Sequence, residues 1–176
     1  MSFALLKSEI PEEVSGWLAS EKLDGIRAIW TGSAFITRNG HKLKAPAWFT
    51  KGMPNDRLDG EIYLGRGTFD RLQSVLQKKD SDWEGVEFHV FDLADIGTVE
   101  DRIEYLDGIK LPKHVIRVLH FPLSGHDELD RMEKAVVAAG GEGMVIRRPM
   151  SSYRPGRIGD VVKVKRLVAD TDRWQG

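Results

Sequence analysis

Between residues 17 and 63 short apolar, β-prone runs alternate with turn dipeptides. WLASEKL and IRAIW flank Asp24-Gly25, Gly32-Ser33 leads into AFITR, Asn39-Gly40 leads out of it, and Asp59-Gly60 stands beside EIY. Glycine and Asn or Asp at such junctions supply the backbone angles that reverse a strand, so this stretch predicts an antiparallel meander. The period then changes. From Thr68, TFDRLQSVLQKK places Phe69, Leu72, Val75 and Leu76 on one helical face, with Thr68 as N-cap and lysines in the last turn. VEDRIEYLDGI reads as a second short helix with Ile103 and Leu106 inward. HDELDRMEKAVVAAGG reads as a third, with Leu129, Met132 and Val136 on one side. VEFHVFDL, HVIRVLHF, MVIRRP and DVVKVKRL complete the strands. Turn-linked strands with helices inserted predict a mixed α/β (α+β) domain with largely antiparallel sheets.

At 176 residues the chain suits one domain with a substantial core, and 41% hydrophobic with 30% charged residues excludes wholesale disorder. The N-terminus lacks a signal-peptide pattern and no run approaches the roughly 18 apolar residues that span a bilayer, so no membrane association and a cytoplasmic location are expected. The absence of cysteine excludes disulfides and thiolate chemistry, and the five histidines have no metal-ligand spacing, so any metal is held mainly by oxygen. Net charge is −1, yet residues 142–166 carry seven Lys or Arg against Glu142 and Asp160, a segment able to face phosphates.

Lys22-x-Asp24-Gly25-x-Arg27 is a weak motif by itself, because Asp-Gly is a common turn and its flanking charges are usually solvated. Its companions strengthen it. Glu61 follows a second Asp-Gly on a strand, Glu142 opens another strand, and Lys163 and Lys165 share a strand face. One candidate nucleophile, two acids and several fixed cations are the parts needed to handle a nucleoside triphosphate. A lysine amine, with an ordinary pKa of ~10.4, attacks only after losing its proton, which nearby cations or desolvation promote. The same cations neutralise charge on a transferring phosphoryl group.

The ordered series EKLDGIR, TRNG, LDGEIY, FHVFDL, EGMVIRR and VVKVK, spread over about residues 20–166, resembles the covalent nucleotidyltransferases and most closely the ATP-dependent DNA ligases. APAWFT and LDGEIYLGRGTF resemble the compact bacterial and phage members. The resemblance implies two twisted, mainly antiparallel sheets flanked by helices, with a nucleotide pocket between them. It also implies ATP, with Mg²⁺ or Mn²⁺, as the cofactors.

Carried over by position, the resemblance makes Lys22 the nucleophile that forms a lysyl–AMP phosphoramidate. Glu61 becomes the acid on the ribose hydroxyls, Phe91 the ring stacked on adenine, and Lys163 and Lys165 the contacts to the α-phosphate. Glu142, with Glu61, would hold the metal. Arg27 would be catalytic and meet the nucleotide, Arg38 would meet the DNA phosphates at a nick, Asp24 would support the later steps, and Arg157 in SSYRPGR would approach the nucleotide. Read from the strands alone, Phe91 is a core residue, and Glu61 and Arg38 are solvated charges. Trp17, Trp48 and Trp83 are packing residues.

The 21 residues before Lys22 are too few for the domain with which NAD-dependent ligases grip their cofactor, so ATP is expected. Residues 1–167 are the expected adenylation domain. Residues 168–176 are a tail or hinge start, leaving no room for the oligonucleotide-binding barrel that follows in a DNA ligase. The expected partner is nicked duplex DNA, with a barrel supplied by a further segment or a separate chain, and a monomer is expected. RNA end-joining or capping, or a non-catalytic nick-binding module, are the alternative functions.

Overall fold

The computed structural model describes residues 10–95, 97–154 and 159–165. Its strands are Leu18–Glu21 (β1), Ile26–Trp30 (β2), Phe35–Thr37 (β3), Leu58–Tyr63 (β4), Glu87–Leu93 (β5), Val115–Arg117 (β6), Phe121–Pro122 (β7), Met144–Arg147 (β8) and Val161–Val164 (β9). They form two sheets, ordered β7-β1-β8-β9 and β3-β2-β4-β5-β6. Every pairing is antiparallel except β5 with β6. The helices are Ala47–Thr50 (α1), Phe69–Gln77 (α2), Val99–Gly108 (α3) and His126–Ala138 (α4). None among the described residues is long and apolar enough to cross a membrane.

Strand alternation sorts the side chains. In the five-stranded sheet, Ala28, Trp30, Leu58, Ile62, Phe88 and Val90 point to one face and pack with Phe49 of α1, Leu72 of α2, Leu106 of α3 and Trp83. In the four-stranded sheet, Ala19, Met144, Ile146, Val162 and Val164 pack with Val14, Trp17, Leu123 and Leu129 of α4. Each sheet therefore has its own apolar core. The intervening positions, including Arg27, Asp59, Glu61, Phe91, Arg147 and Lys163, are left for the other faces.

Several expectations are corrected. Asp24-Gly25 does not join a hairpin: β1 and β2 lie in different sheets, and the loop carrying Lys22 crosses between them. Asp59-Gly60 is no turn either but lies inside β4. Between these two residues the register with β5 shifts, so that Asp59 faces Asp92 while Gly60 faces Val90. Phe91 is the extra residue of this bulge, a device that re-aims a side chain. A Cβ on Gly60 would strike the His89 carbonyl and come within 2.7 Å of the Phe88 ring.

HVIRVLHF splits into β6 and β7, one per sheet. Thr68 precedes α2, but its hydroxyl donates to the Gly65 carbonyl instead of capping, and the last turn holds no lysine. Arg102, not Ile103, is the buried partner of Leu106 on α3. APAWFT contains α1, which periodicity does not reveal in four residues. Trp17 and Trp83 are core, whereas Trp48 is exposed.

Candidate active site

The crossing loop places Lys22 just beyond β1, where its backbone N–H donates to the Gly143 carbonyl at 2.8 Å. Gly25 permits the close passage that follows, since a Cβ there would run into the Ile62 carbonyl oxygen. The Lys22 Nζ lies 2.5 Å from Glu142 Oε1, and Lys165 Nζ donates to the same oxygen at 3.1 Å. Burial opposes ionisation of Glu142, but hydrogen bonds from the two lysines prevail and hold its carboxyl below the ordinary range. Two motifs more than a hundred residues apart thus converge on one carboxylate.

The five-stranded sheet supplies the facing groups. Glu61 stands opposite Arg27 in the β2–β4 pairing. Burial pushes its carboxyl up to about 7, against the Gly25 backbone N–H and the charges of Arg27, Lys22 and Lys163. A carboxyl so displaced titrates near neutrality, a property concentrated at functional sites. Arg27 forks onto buried Asp59, with Nε donating to Oδ1 at 3.0 Å and Nη2 to Oδ2 at 2.6 Å. That pairing raises its already high pKa, the hydrogen bond being the largest cause.

Phe91, half-buried on the bulge, meets two guanidinium groups: Arg27 at 5.6 Å and Arg147 at 5.0 Å from its ring centre. Arg147 is buried on β8 and donates through Nη1 to Ser20 Oγ at 3.1 Å and to His120 Nε2 at 3.2 Å. Burial, and then the Arg147 charge, push His120 down to about 3, so its ring is neutral and accepts. The reading of Phe91 as core is therefore corrected: it alternates with Phe88 and Val90 and so lies on the face away from the core they join.

Lys163 lies exposed on β9 opposite Val145, on the face away from the apolar core, and its charge acts on Glu61. Arg38 is exposed on the turn after β3 and Asp24 is exposed on the crossing loop, so neither belongs to the cluster of buried contacts. Arg157 lies outside the described residues, as does the 168–176 tail. Among the described residues no three His, Asp or Glu side chains form a metal cluster. The shallow surface depressions, one beside Glu100 and His120 and one beside Trp48 and His114, are lined by other residues.

Four residues enter the site without having been singled out. Asp59 and Arg147 were accessible to alternation, sharing a face with Ile29 and Val145 respectively and not with the core. Tyr153, whose hydroxyl donates to Asp59 Oδ2 at 2.9 Å, gave no periodic signal. Arg66 forks onto Glu21, the neighbour of Lys22, with both bonds at 3.0 Å, and donates to the Ala139 carbonyl beyond α4. Its long-range partner was not readable locally.

No protein-family profile matches the chain. It is similar to a DNA ligase of Haemophilus influenzae, 31% identical over 93% of this chain and 66% of the relative. It also resembles a solved structure of a Lig E DNA ligase, described as DNA binding with a minimal scaffold, with a TM-score of 0.82, 34% identity, and 88% of this chain on 63% of that one. Chlorella virus DNA ligase-adenylate shares the fold at a TM-score of 0.73 and 22% identity, over 90% of this chain and 63% of that one. The chain spans slightly less than two thirds of the length of these relatives. With the two sheets and the lysine–carboxylate cluster in place, this likeness shows that the chain belongs to the DNA ligases and has their nucleotidyltransferase fold.

Proposed function

We propose that residues 1–167 are the adenylation domain of an ATP-dependent DNA ligase that joins 3′-hydroxyl and 5′-phosphate ends at nicks. The observation that carries this reading is the convergence of Lys22 and Lys165 on one carboxylate oxygen of Glu142, with the Lys22 charge also acting on Glu61 of the other sheet. In the first step the Lys22 amine bonds to the α-phosphorus of ATP, the α–β phosphoanhydride P–O bond breaks, and pyrophosphate leaves with release of the amine proton. Glu142 aims the amine by hydrogen bonding to it. Lys163 and Lys165 set positive charge where the α-phosphate gains negative charge.

Glu61 accepts from the ribose hydroxyls, and Phe91 offers a ring to adenine. Glu61 and Glu142 are oxygen donors that would hold a hard divalent cation. Such a cation, Mg²⁺ or Mn²⁺, supplies charge neutralisation across the triphosphate. In the later steps AMP passes to the 5′-phosphate of a nick and the 3′-hydroxyl displaces it. Arg27, Arg38 and Asp24 serve these steps, and nicked duplex DNA is the partner. The barrel expected in such enzymes comes from a further segment or another chain.

Intact-mass spectrometry tests the reading. The purified chain with ATP and a divalent metal gains one AMP, and Lys22→Ala, still folded, gains none. Labelling of that variant overturns the nucleophile assignment. Loss of the AMP with appearance of sealed DNA on adding a nicked duplex supports complete ligation, and a gain with GTP alone favours capping chemistry instead.

A further inference from the structure

Asp59 is fully buried, yet alternation puts it with Glu61 on the face of β4 away from the apolar core. Arg27 donates to both of its oxygens, but the Arg27 side chain is itself 46% exposed. An exposed arginine has many rotamers, and two hydrogen bonds to one carboxylate hold it only while that carboxylate is itself fixed. The third donor on Asp59 is the Tyr153 hydroxyl, on the same Oδ2 that receives Arg27 Nη2.

Tyr153 is in turn well anchored. The guanidinium of buried Arg102 stands 5.8 Å over its ring. Arg102 also donates to Asp92 Oδ1 at 2.7 Å, to the Gly97 carbonyl at 2.7 Å and to the Ser151 carbonyl at 3.1 Å. Ser152 bridges to Thr98, and the Met150 N–H donates to the Glu100 carboxylate. The segment around Tyr153 is thus pinned to α3 at several points. Burial and the Asp59 carboxylate push the phenol up from its ordinary value, so the hydroxyl keeps its proton and donates.

We propose that Tyr153 is a positioning residue for nucleotidyl transfer: its hydroxyl fixes the Asp59 carboxylate, which holds the Arg27 guanidinium against the Phe91 ring. This rests on the reading that Arg27 and Phe91 serve the nucleotide. The chain of contacts runs from α3 through Tyr153, Asp59 and Arg27 to Phe91, and each link is a hydrogen bond or a stacked cation.

Tyr153→Phe removes one oxygen and keeps the ring under Arg102, so the chain still folds, with a melting temperature lower by about a few degrees for the hydrogen bond lost to a buried carboxylate. Two measurements on the full chain test the proposal. Hydrogen exchange at the Arg27 Nε–H, followed by ¹⁵N NMR and assigned by its loss in Arg27→Lys, speeds up about tenfold or more in Tyr153→Phe; an unchanged rate overturns the proposal whether or not the chain is an enzyme. The maximal rate of lysyl–AMP formation falls about tenfold, as a displacement below 1 Å produces, and the loss does not multiply with that of Arg27→Lys. A full-rate variant, or losses that multiply, overturns a role acting through Arg27. If the unsubstituted chain gains no AMP at all, the proposed function fails, while the exchange measurement still decides the positioning of Arg27.

Discussion

Glu61→Gln separates the stability of the cleft from its chemistry. Burial moves this carboxyl from 4.5 to about 7, and at about 1.36 kcal/mol per pH unit the charged form carries a penalty of about 3.4 kcal/mol. Partial solvent access reduces this to about 2 kcal/mol. The sign follows from linkage: the folded state binds the proton more tightly than the unfolded chain, so the penalty is fully present above about pH 7 and fades as pH falls toward 4.5. Glutamine keeps the shape and can still accept from the Gly25 N–H, but it never carries the charge. The variant therefore melts about 4–8 °C higher than the parent at alkaline pH, with about 2–4 °C per kcal/mol for a chain of this size. The gain shrinks to almost nothing near pH 4.5, while lysyl–AMP formation is lost at every pH. Thermal melts across this range, read beside intact mass, make the measurement. An equal or lower melting temperature at alkaline pH, or a gain that does not shrink on acidification, refutes the assignment of Glu61 as an under-compensated buried acid.

Phe91→Ala weakens ATP capture about tenfold, in line with about 1–3 kcal/mol per stacked base, and affects DNA binding less; equal losses in titrations with the two ligands point to a packing role. Because Phe91 faces the cleft, its removal costs less stability than Phe88→Ala, for which about 3–5 kcal/mol is expected, and denaturant melts of the two variants rank them. Gly60→Ala drives a Cβ into the His89 carbonyl and the Phe88 ring. It lowers stability by more than about 2 kcal/mol, and a melt within about 0.5 kcal/mol of the parent contradicts the close approach of β4 and β5.

The sequence made some levels of this architecture readable and concealed others. Period-two alternation located Lys163 of β9 and Lys165, the residue just after it, on one side of the chain because a strand's side chains obey a local rule. The same rule could not say that β1 and β2 belong to different sheets, since a loop of four residues serves a hairpin and a crossing equally well. Asp59-Gly60 misled because the composition of a turn is also that of a strand pressed against its neighbour, and only the contact with His89 and Phe88 distinguishes them. Phe91 read as core because its strand is apolar, although alternation with the buried Phe88 and Val90 puts it on the opposite face. Arg102 and Tyr153 escaped because a buried arginine on a short helix is fixed by partners far along the chain, Asp92 and Ser151 among them. The resemblance supplied candidate roles for residues whose placement local pattern left open.

The separation of the two apolar cores bears on how nucleotide enters and pyrophosphate departs. Prising the sheets apart along the polar boundary breaks ion pairs and hydrogen bonds that water replaces at little net cost, and it exposes none of the side chains packed behind Phe88 or Ile146. Such an opening leaves both cores intact, and on the proposed function a nucleotide held by Glu61 and Phe91 of one sheet and Lys163 of the other is a removable stitch across the seam.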